Sequence, residues 1–200
     1  LGDVYKRQGV MLACIGRDDE AVEIMMRARQ LDPGSMIINR DLACVLSWVG
    51  KVDEAERQLK KTIEMDPDFI PAHAHLGRIY THKEMYDEAF AQYEIIRELD
   101  SEWFNLDVMM GYALAKVGRI EESRKILDKI LASIGTQRGK EHEAAIIYME
   151  LGDLDKTFEH YEKAIDNREF GVVLLDVQLW GEGMRDDPRY DELRRKINLL

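Results

Sequence analysis

The chain has 200 residues, of which 46% are apolar and 34% charged, a balance typical of a folded soluble protein. Its formal net charge of −11 disfavours attraction to nucleic acid or to anionic lipid, which carry the same sign. No stretch approaches the roughly 18 uninterrupted apolar residues that span a bilayer. Cys14 and Cys44 lack metal-ligand spacing and are too few for a disulfide framework. We therefore expect a cytoplasmic protein with free thiols and neither a nucleic-acid nor a membrane partner.

The first eight residues look foreign to the rest of the chain. Residues 3–8 read DVYKRQ, a peptide encoded by GATGTGTATAAGAGACAG, and that string resembles a transposon adapter used in preparing sequencing libraries. In the repeat described next, Gln8 also stands where an apolar residue belongs, and regularity begins at Gly9. We predict that residues 1–8 are an assembly artefact replacing part of the first helix, and that upstream coding sequence is missing. Native genomic DNA that encodes DVYKRQ would contradict this.

A 34-residue period organises the chain to about residue 169. Its copies begin, without insertion or deletion, at Gly2, Met36, Ile70, Phe104 and Arg138. Positions eight and twenty are small: Gly9, Ala43, Gly77, Gly111 and Ala145; Ala21, Ala55, Ala89, Ser123 and Thr157. Positions eleven and twenty-four are large: Leu12, Leu46, Tyr80, Leu114 and Tyr148; Met25, Leu59, Tyr93, Leu127 and Tyr161. Position fifteen holds Gly16, Gly50, Glu84, Gly118 and Gly152.

These residue types predict two antiparallel helices in each copy. Small side chains at positions eight and twenty let the paired helices approach closely, and the large ones fill the space beside that contact. Glycine at position fifteen ends the first helix in a left-handed conformation. An acidic residue in the first turn of the second helix complements the helix dipole. Pro33 and Pro67 close the first two copies, because proline cannot continue a helix.

The repeat resembles the tetratricopeptide repeat family, whose signature has an early Leu-Gly, a central Ala and a final Pro. The resemblance implies an all-α, right-handed superhelical solenoid of stacked antiparallel helix hairpins. About five units are expected, at 2–35, 36–69, 70–103, 104–137 and 138–169. The chain departs from the signature at position four (Asn39, His73, Asp107, Glu141) and at the final proline (Ser101, Gly135, Glu169). We expect these departures to loosen the turns of the later copies.

Residues 170–200 no longer follow the period. Asp187-Pro188 predicts the N-cap and first turn of a short helix, on which Tyr190, Leu193 and Ile197 share one face. The segment resembles the end of tetratricopeptide arrays in large bacterial signalling and transcription-regulator proteins. That resemblance implies a C-terminal cap on the last hairpin, with core residues Val173, Leu174, Val177 and Trp180. The alternative is a hydrophobic docking patch.

In the family, the first helices of successive copies line a concave groove that binds a protein or peptide. The corresponding positions hold Arg40, Cys44, Trp48, His75, Arg78, His82, Met109, Tyr112, Lys116, His142 and Ile146. Aromatic side chains, Met and Arg are enriched at interface hot spots, so we expect this surface to bind an extended peptide or a helix. The alternative is that Trp48 and Tyr112 only pack against the neighbouring helix.

One specialised ligand of the family is not expected. Arrays that hold a chaperone's terminal carboxylate use Lys and Asn at positions five and nine, Asn at six of the next copy, and Lys and Arg at two and six of the third. Read from copy two, the chain offers Arg40, Cys44, His75, Asn105 and Met109. Read from copy one, it offers Lys6, Val10, Asp41, Pro71 and His75. Neither set makes the clamp.

The sequence contains no pattern typical of an enzyme or a metal site. His75 and His82 are seven residues apart on one helix, about 10 Å along its axis, too far to share an ion. Phosphate loops, nucleophile elbows and Ser/His/Asp signatures are absent. We therefore expect a non-catalytic scaffold without cofactor or metal, acting as the C-terminal interaction module of a larger bacterial protein. The alternative is an intramolecular regulator of a catalytic or DNA-binding domain that precedes the array.

Overall fold

The computed structural model describes residues 2–137, 139–176 and 182–197, which are helical apart from turns and an isolated bridge between Ile134 and Gln137. The all-α prediction is confirmed. The helices are α1 (Gly2–Cys14), α2 (Asp18–Leu31), α3 (Met36–Trp48), α4 (Val52–Met65), α5 (Ile70–His82), α6 (Tyr86–Leu99), α7 (Leu106–Lys116), α8 (Ile120–Ser133), α9 (Lys140–Glu150), α10 (Leu154–Asp166) and α11 (Pro188–Lys196). Two short 3-10 helices, η1 (Phe170–Leu174) and η2 (Glu182–Met184), precede α11. None of the described helices combines the length and apolar character needed to cross a membrane.

Consecutive helices pair into five hairpins, α1 with α2 through α9 with α10. The chain divides into two compact units, residues 1–101 and 102–200. In the first unit, α1 contacts α3 and α3 contacts α5, so the first helices of three hairpins are neighbours. In the second unit, α9 contacts both α7 and α8. The predicted pairing of helices within each copy is therefore confirmed.

The close approach of paired helices occurs at the small residues that the repeat predicted. All five side chains at position twenty are fully buried: Ala21, Ala55, Ala89, Ser123 and Thr157. In α5, Gly77 lies against the ring of Tyr93 from α6, so a Cβ at residue 77 would overlap that ring. Positions eight and twenty-four of one copy thus fit together as a bare backbone and a large side chain.

The ends of the first helices also follow the repeat. Gly16, Gly50, Gly118 and Gly152 have φ angles of 74°, 79°, 80° and 81°, in the left-handed region that glycine adopts at little cost. Glu84 occupies the same position after α5 with φ 59°. A residue with a Cβ is strained there.

Replacing Glu84 with glycine is expected to raise the free energy of unfolding by about 0.5–1 kcal/mol, because the left-handed backbone no longer carries a side chain. Urea unfolding followed by circular dichroism measures the change. As a control, Ala91→Gly at an exposed position in the middle of α6 should lower stability by about 1 kcal/mol, since glycine weakens a helix interior. A loss of stability in the Glu84→Gly variant would contradict the strain at this turn.

The polar residues at position four form hydrogen bonds to the turns before copies two and three. Asn39 Nδ2 donates to the Pro33 carbonyl at 2.9 Å, and His73 Nε2 donates to the Pro67 carbonyl at 2.8 Å. In three copies the buried residue at position four also pairs with position twenty-three: Asn39 with Gln58 at 2.9 Å, His73 with Gln92 at 2.8 Å, and Glu141 with His160 at 2.6 Å. Hydrogen bonds here replace the apolar contact of the family signature and join both helices of the hairpin.

The tail packs against the last hairpin: η1 and α11 contact α10, and η2 contacts α9. Asp187 caps α11 and Pro188 is its first residue, as predicted. The buried residues among the described part of the tail are Val172, Leu175, Met184, Tyr190 and Leu193. The expectation for Val173 was wrong, since this residue is 43% exposed, and Leu174 is only half-buried. Residues three apart share a face of a 3-10 helix, so Val172 and Leu175 point inward and Val173 does not. Val177 and Trp180 lie outside the described residues.

Candidate functional site

The eleven residues predicted to face a groove are divided between the two units. In the first unit, α3 carries Arg40, Cys44 and Trp48, and α5 carries His75, Arg78 and His82. We call these six residues the α3–α5 face. His82 is exposed, and Arg40, Trp48 and Arg78 are half-buried. Cys44 and His75 are buried, so the prediction that their side chains face outward was wrong. The accessible part of the α3–α5 face consists of cations and aromatic rings.

Cys44 and His75 form a hydrogen-bonded pair beneath this surface. Cys44 Sγ lies 3.5 Å from His75 Nδ1, and Ser47 Oγ lies 3.0 Å from His75 Nε2. Ser47 donates its own proton to the Cys44 carbonyl at 2.7 Å, so it must accept from Nε2–H. His75 Nδ1 is then left to accept from the thiol. Ser47, which is buried beside this pair, was not among the residues predicted for the groove.

The pair stays uncharged. Burial, together with the charges of Arg78 and Arg40, holds the pKa of His75 well below its usual range. Burial also raises the pKa of the Cys44 thiol above its ordinary value, despite the nearby guanidinium of Arg40. A nucleophilic cysteine needs the thiolate form, which these shifts oppose. The Cys44–His75 pair therefore supports the packing of α3 on α5 and is not an activated nucleophile.

Two N–H groups of the α3–α5 face are shielded from solvent without an acceptor among the residues that the structure describes. They are Arg40 Nε and Trp48 Nε1. Other atoms of Arg40 are engaged, since Nη1 lies 3.1 Å from Asp41 Oδ1 and 3.9 Å from Cys44 Sγ. A buried donor that lacks an acceptor costs about 1–3 kcal/mol. These two N–H groups lie within the unit, so neither is accessible to a ligand on the α3–α5 face.

The predicted residues of the second unit are mostly inaccessible. Met109, Tyr112, His142 and Ile146 are 2%, 6%, 8% and 1% exposed, so the prediction that they face outward was wrong. One reason is that α7 packs on α9. Another is that Gly171 of η1 lies directly on the His142 ring, where a Cβ would overlap it. Lys116 is exposed and lies 3.5 Å from Glu150.

The second unit also contains buried ionisable groups that no sequence pattern indicated. Lys140 Nζ lies 2.7 Å from Glu143 Oε2, and both side chains are buried. Burial raises the pKa of Glu143 to about 7, against the opposing effect of Lys140. Across the described residues, no group of three His, Cys, Asp or Glu side chains could hold a metal ion. We interpret the Lys140–Glu143 contact as a link within α9 and the Lys116–Glu150 contact as a link between α7 and α9.

Comparison with known proteins supports the repeat. The tetratricopeptide repeat model matches residues 142–169, within the fifth predicted copy. No curated protein matches the chain. A thermophilic tetratricopeptide repeat protein of Thermus thermophilus is similar over all of this chain and 98% of its own, with a TM-score of 0.69 and 19% identity.

Two further solved structures are similar. A tetratricopeptide repeat protein from Parabacteroides merdae ATCC 43184 aligns with 99% of this chain and 83% of its own, with a TM-score of 0.65 and 14% identity. The protein MamA MSR-1 aligns with 84% of this chain and 97% of its own, with a TM-score of 0.51 and 25% identity. The chain therefore has the fold of tetratricopeptide repeat proteins, a scaffold fold consistent with protein interaction.

Proposed function

We propose that this protein is a non-catalytic scaffold that binds a segment of a protein partner, or a peptide, on the α3–α5 face. The observation that carries the proposal is the accessible combination of Trp48, Arg40, Arg78 and His82 on two neighbouring helices. Tryptophan and arginine are the side chains most enriched at binding hot spots.

The five predicted residues of the second unit contribute less to the proposed surface. Four of them are buried, and a partner could reach their side chains only if α7, α9 or the tail moved. The proposed binding surface therefore narrows from eleven residues on the first helices of four copies to the four accessible residues of the α3–α5 face: Arg40, Trp48, Arg78 and His82.

The proposed surface can be tested with peptides selected from a random dodecamer library against the purified protein. We expect Trp48→Ala combined with His82→Ala to weaken binding of a selected peptide at least tenfold, because the two accessible rings are lost. Fluorescence anisotropy measures the Kd. The matched control is Lys61→Ala combined with Met65→Ala, both exposed on α4, and it should leave the Kd unchanged. Failure to select any peptide, or equal affinity of the Trp48/His82 variant, would refute the proposal.

We further propose that the chain is the C-terminal interaction module of a larger bacterial protein. The support is the resemblance of residues 170–200 to the closing segments of arrays in multidomain regulators. The upstream coding sequence in the source genome tests this idea. An effector domain in frame with residue 9 is the expected result, and a stop codon followed by a native start near residue 9 is the contrary one.

A further inference from the structure

Residues 9–15 are apolar without interruption, and all but the last belong to α1. They read GVMLACI, with no charged, amide or hydroxyl side chain among them. A helix that is hydrophobic all round is normally buried on all sides. Here α1 contacts α2 and α3, yet Met11 and Ile15 remain 63% and 59% exposed. The first hairpin therefore presents an apolar face to solvent.

The repeat shows what covers the same face in the later copies. Met11 holds position ten, and the residues at position ten of the next four copies are at most 1% exposed: Val45, Ile79, Ala113 and Ile147. Ile147 of α9 lies against Gly111 of α7, at position eight of the preceding copy, where a Cβ would overlap its side chain. In the first unit, α3 contacts α1 and α5 contacts α3 in the same way. Position ten thus packs on the preceding hairpin, and Met11 has the residue type for that contact.

The last hairpin differs from the first in this respect. It is covered by the tail, since η1 and α11 contact α10 and η2 contacts α9. End units of a repeat protein need a covering segment or a polar outer face to remain soluble. Among the described residues the first hairpin has neither, because its outer face carries Met11 and Ile15. Its composition is therefore that of an interior unit.

We infer that Met11 packs on a further hairpin of the same repeat, formed by the native residues that precede Gly9. A small residue at position eight of that hairpin lies against Met11, as Gly111 lies against Ile147. The inference uses neither residues 1–8 nor the α3–α5 face, so it is independent of the proposed binding surface. An effector domain would then lie further upstream.

The native coding sequence upstream of Gly9 is the first test. Positions eight, twenty and twenty-four of the added copy are counted back from Gly9 in the 34-residue register. We expect them to hold a small, a small and a large residue, respectively. A native start codon near Gly9, or upstream sequence without this pattern, would overturn the inference. An effector domain joined directly to residue 9 would also overturn it and leave the proposed function standing.

Thermal unfolding followed by circular dichroism is the second test. In the 200-residue chain, Met11→Glu should shift the midpoint by less than about 2 °C, because the residue is exposed. In a chain extended by the native upstream copy, the same change should lower the midpoint by about 4 °C or more, since the carboxylate is then buried. The matched control is Val117→Glu, 39% exposed in the second unit, which should have the same effect in both chains.

Equal effects of Met11→Glu in the two chains would contradict the added contact. Sedimentation equilibrium distinguishes the other occupant of this face, a second copy of the protein. We expect the extended chain to have the same oligomeric state with and without Met11→Glu. A dimer of the extended chain that Met11→Glu converts to a monomer would show that a second copy covers Met11, and would overturn the inference.

Discussion

Replacing Tyr93 with alanine is expected to lower the free energy of unfolding by about 3–5 kcal/mol, the usual cost of removing a buried aromatic ring. Tyr93 is fully buried and lies against Gly77, which has no side chain to fill the space that the ring leaves. Its hydroxyl lies 3.0 Å from Thr81 Oγ1, so a hydrogen bond is lost as well. Urea unfolding of the whole chain, followed by circular dichroism, measures the loss.

The control for this prediction is Tyr93→Phe, which keeps the ring and removes only the hydroxyl. We expect a cost of about 1 kcal/mol, the usual net value of one hydrogen bond. Thr81 still donates to the Gly77 carbonyl at 3.0 Å, so its hydroxyl is not left unsatisfied. Equal stability of the alanine and phenylalanine variants would mean that the ring does not fill the space between α5 and α6.

The second large effect is expected at the buried pair of Glu141 and His160. Either Glu141→Leu or His160→Leu should cost about 3 kcal/mol, because the remaining partner is buried without its hydrogen bond. Both residues are 6% exposed, and His160 Nδ1 lies 2.6 Å from Glu141 Oε2. The double variant should recover most of the loss, since leucine at position four restores the apolar residue of the family signature and neither polar group remains.

A double-mutant cycle in urea measures the coupling between Glu141 and His160. We expect the loss in the double variant to be smaller than the sum of the two single losses by at least about 1 kcal/mol. Asp107→Leu provides the matched control at position four of copy four. Lys129 Nζ lies 2.9 Å from Asp107 Oδ2, and the Lys129 side chain is 62% exposed. The loss in free energy of unfolding should therefore stay below about 1 kcal/mol. Additive single effects would show that Glu141 and His160 do not act as a pair.

The same residues show which features the sequence could predict. Gly77 and Tyr93 belong to positions eight and twenty-four, whose small and large residue types recur in each copy and are enough to indicate the contact. The pairing of Glu141 with His160 was missed, although Asn39 with Gln58 and His73 with Gln92 repeat it at the same spacing of nineteen residues. A search for polar residues that recur together at positions four and twenty-three would have found it.

The candidate site was predicted less well, and the reason differs between residues. Periodicity assigns a residue to a face of its helix, but it does not say what covers that face. Cys44 and His75 come from adjacent copies and bury each other where α3 meets α5. His142 is covered by Gly171, which belongs to a segment without any repeat pattern.

The sequence by itself therefore determined the helical class, the pairing of helices within each copy, the glycine turns and the cap of α11. Those features depend on residues close in the chain, whose spacing controls helix faces and helix ends. Only the tertiary structure decided which side chains of the first helices remain accessible. Accessibility depends on contacts between helices of different copies and with the tail, and that packing leaves Arg40, Trp48, Arg78 and His82 in reach of a partner on the first unit.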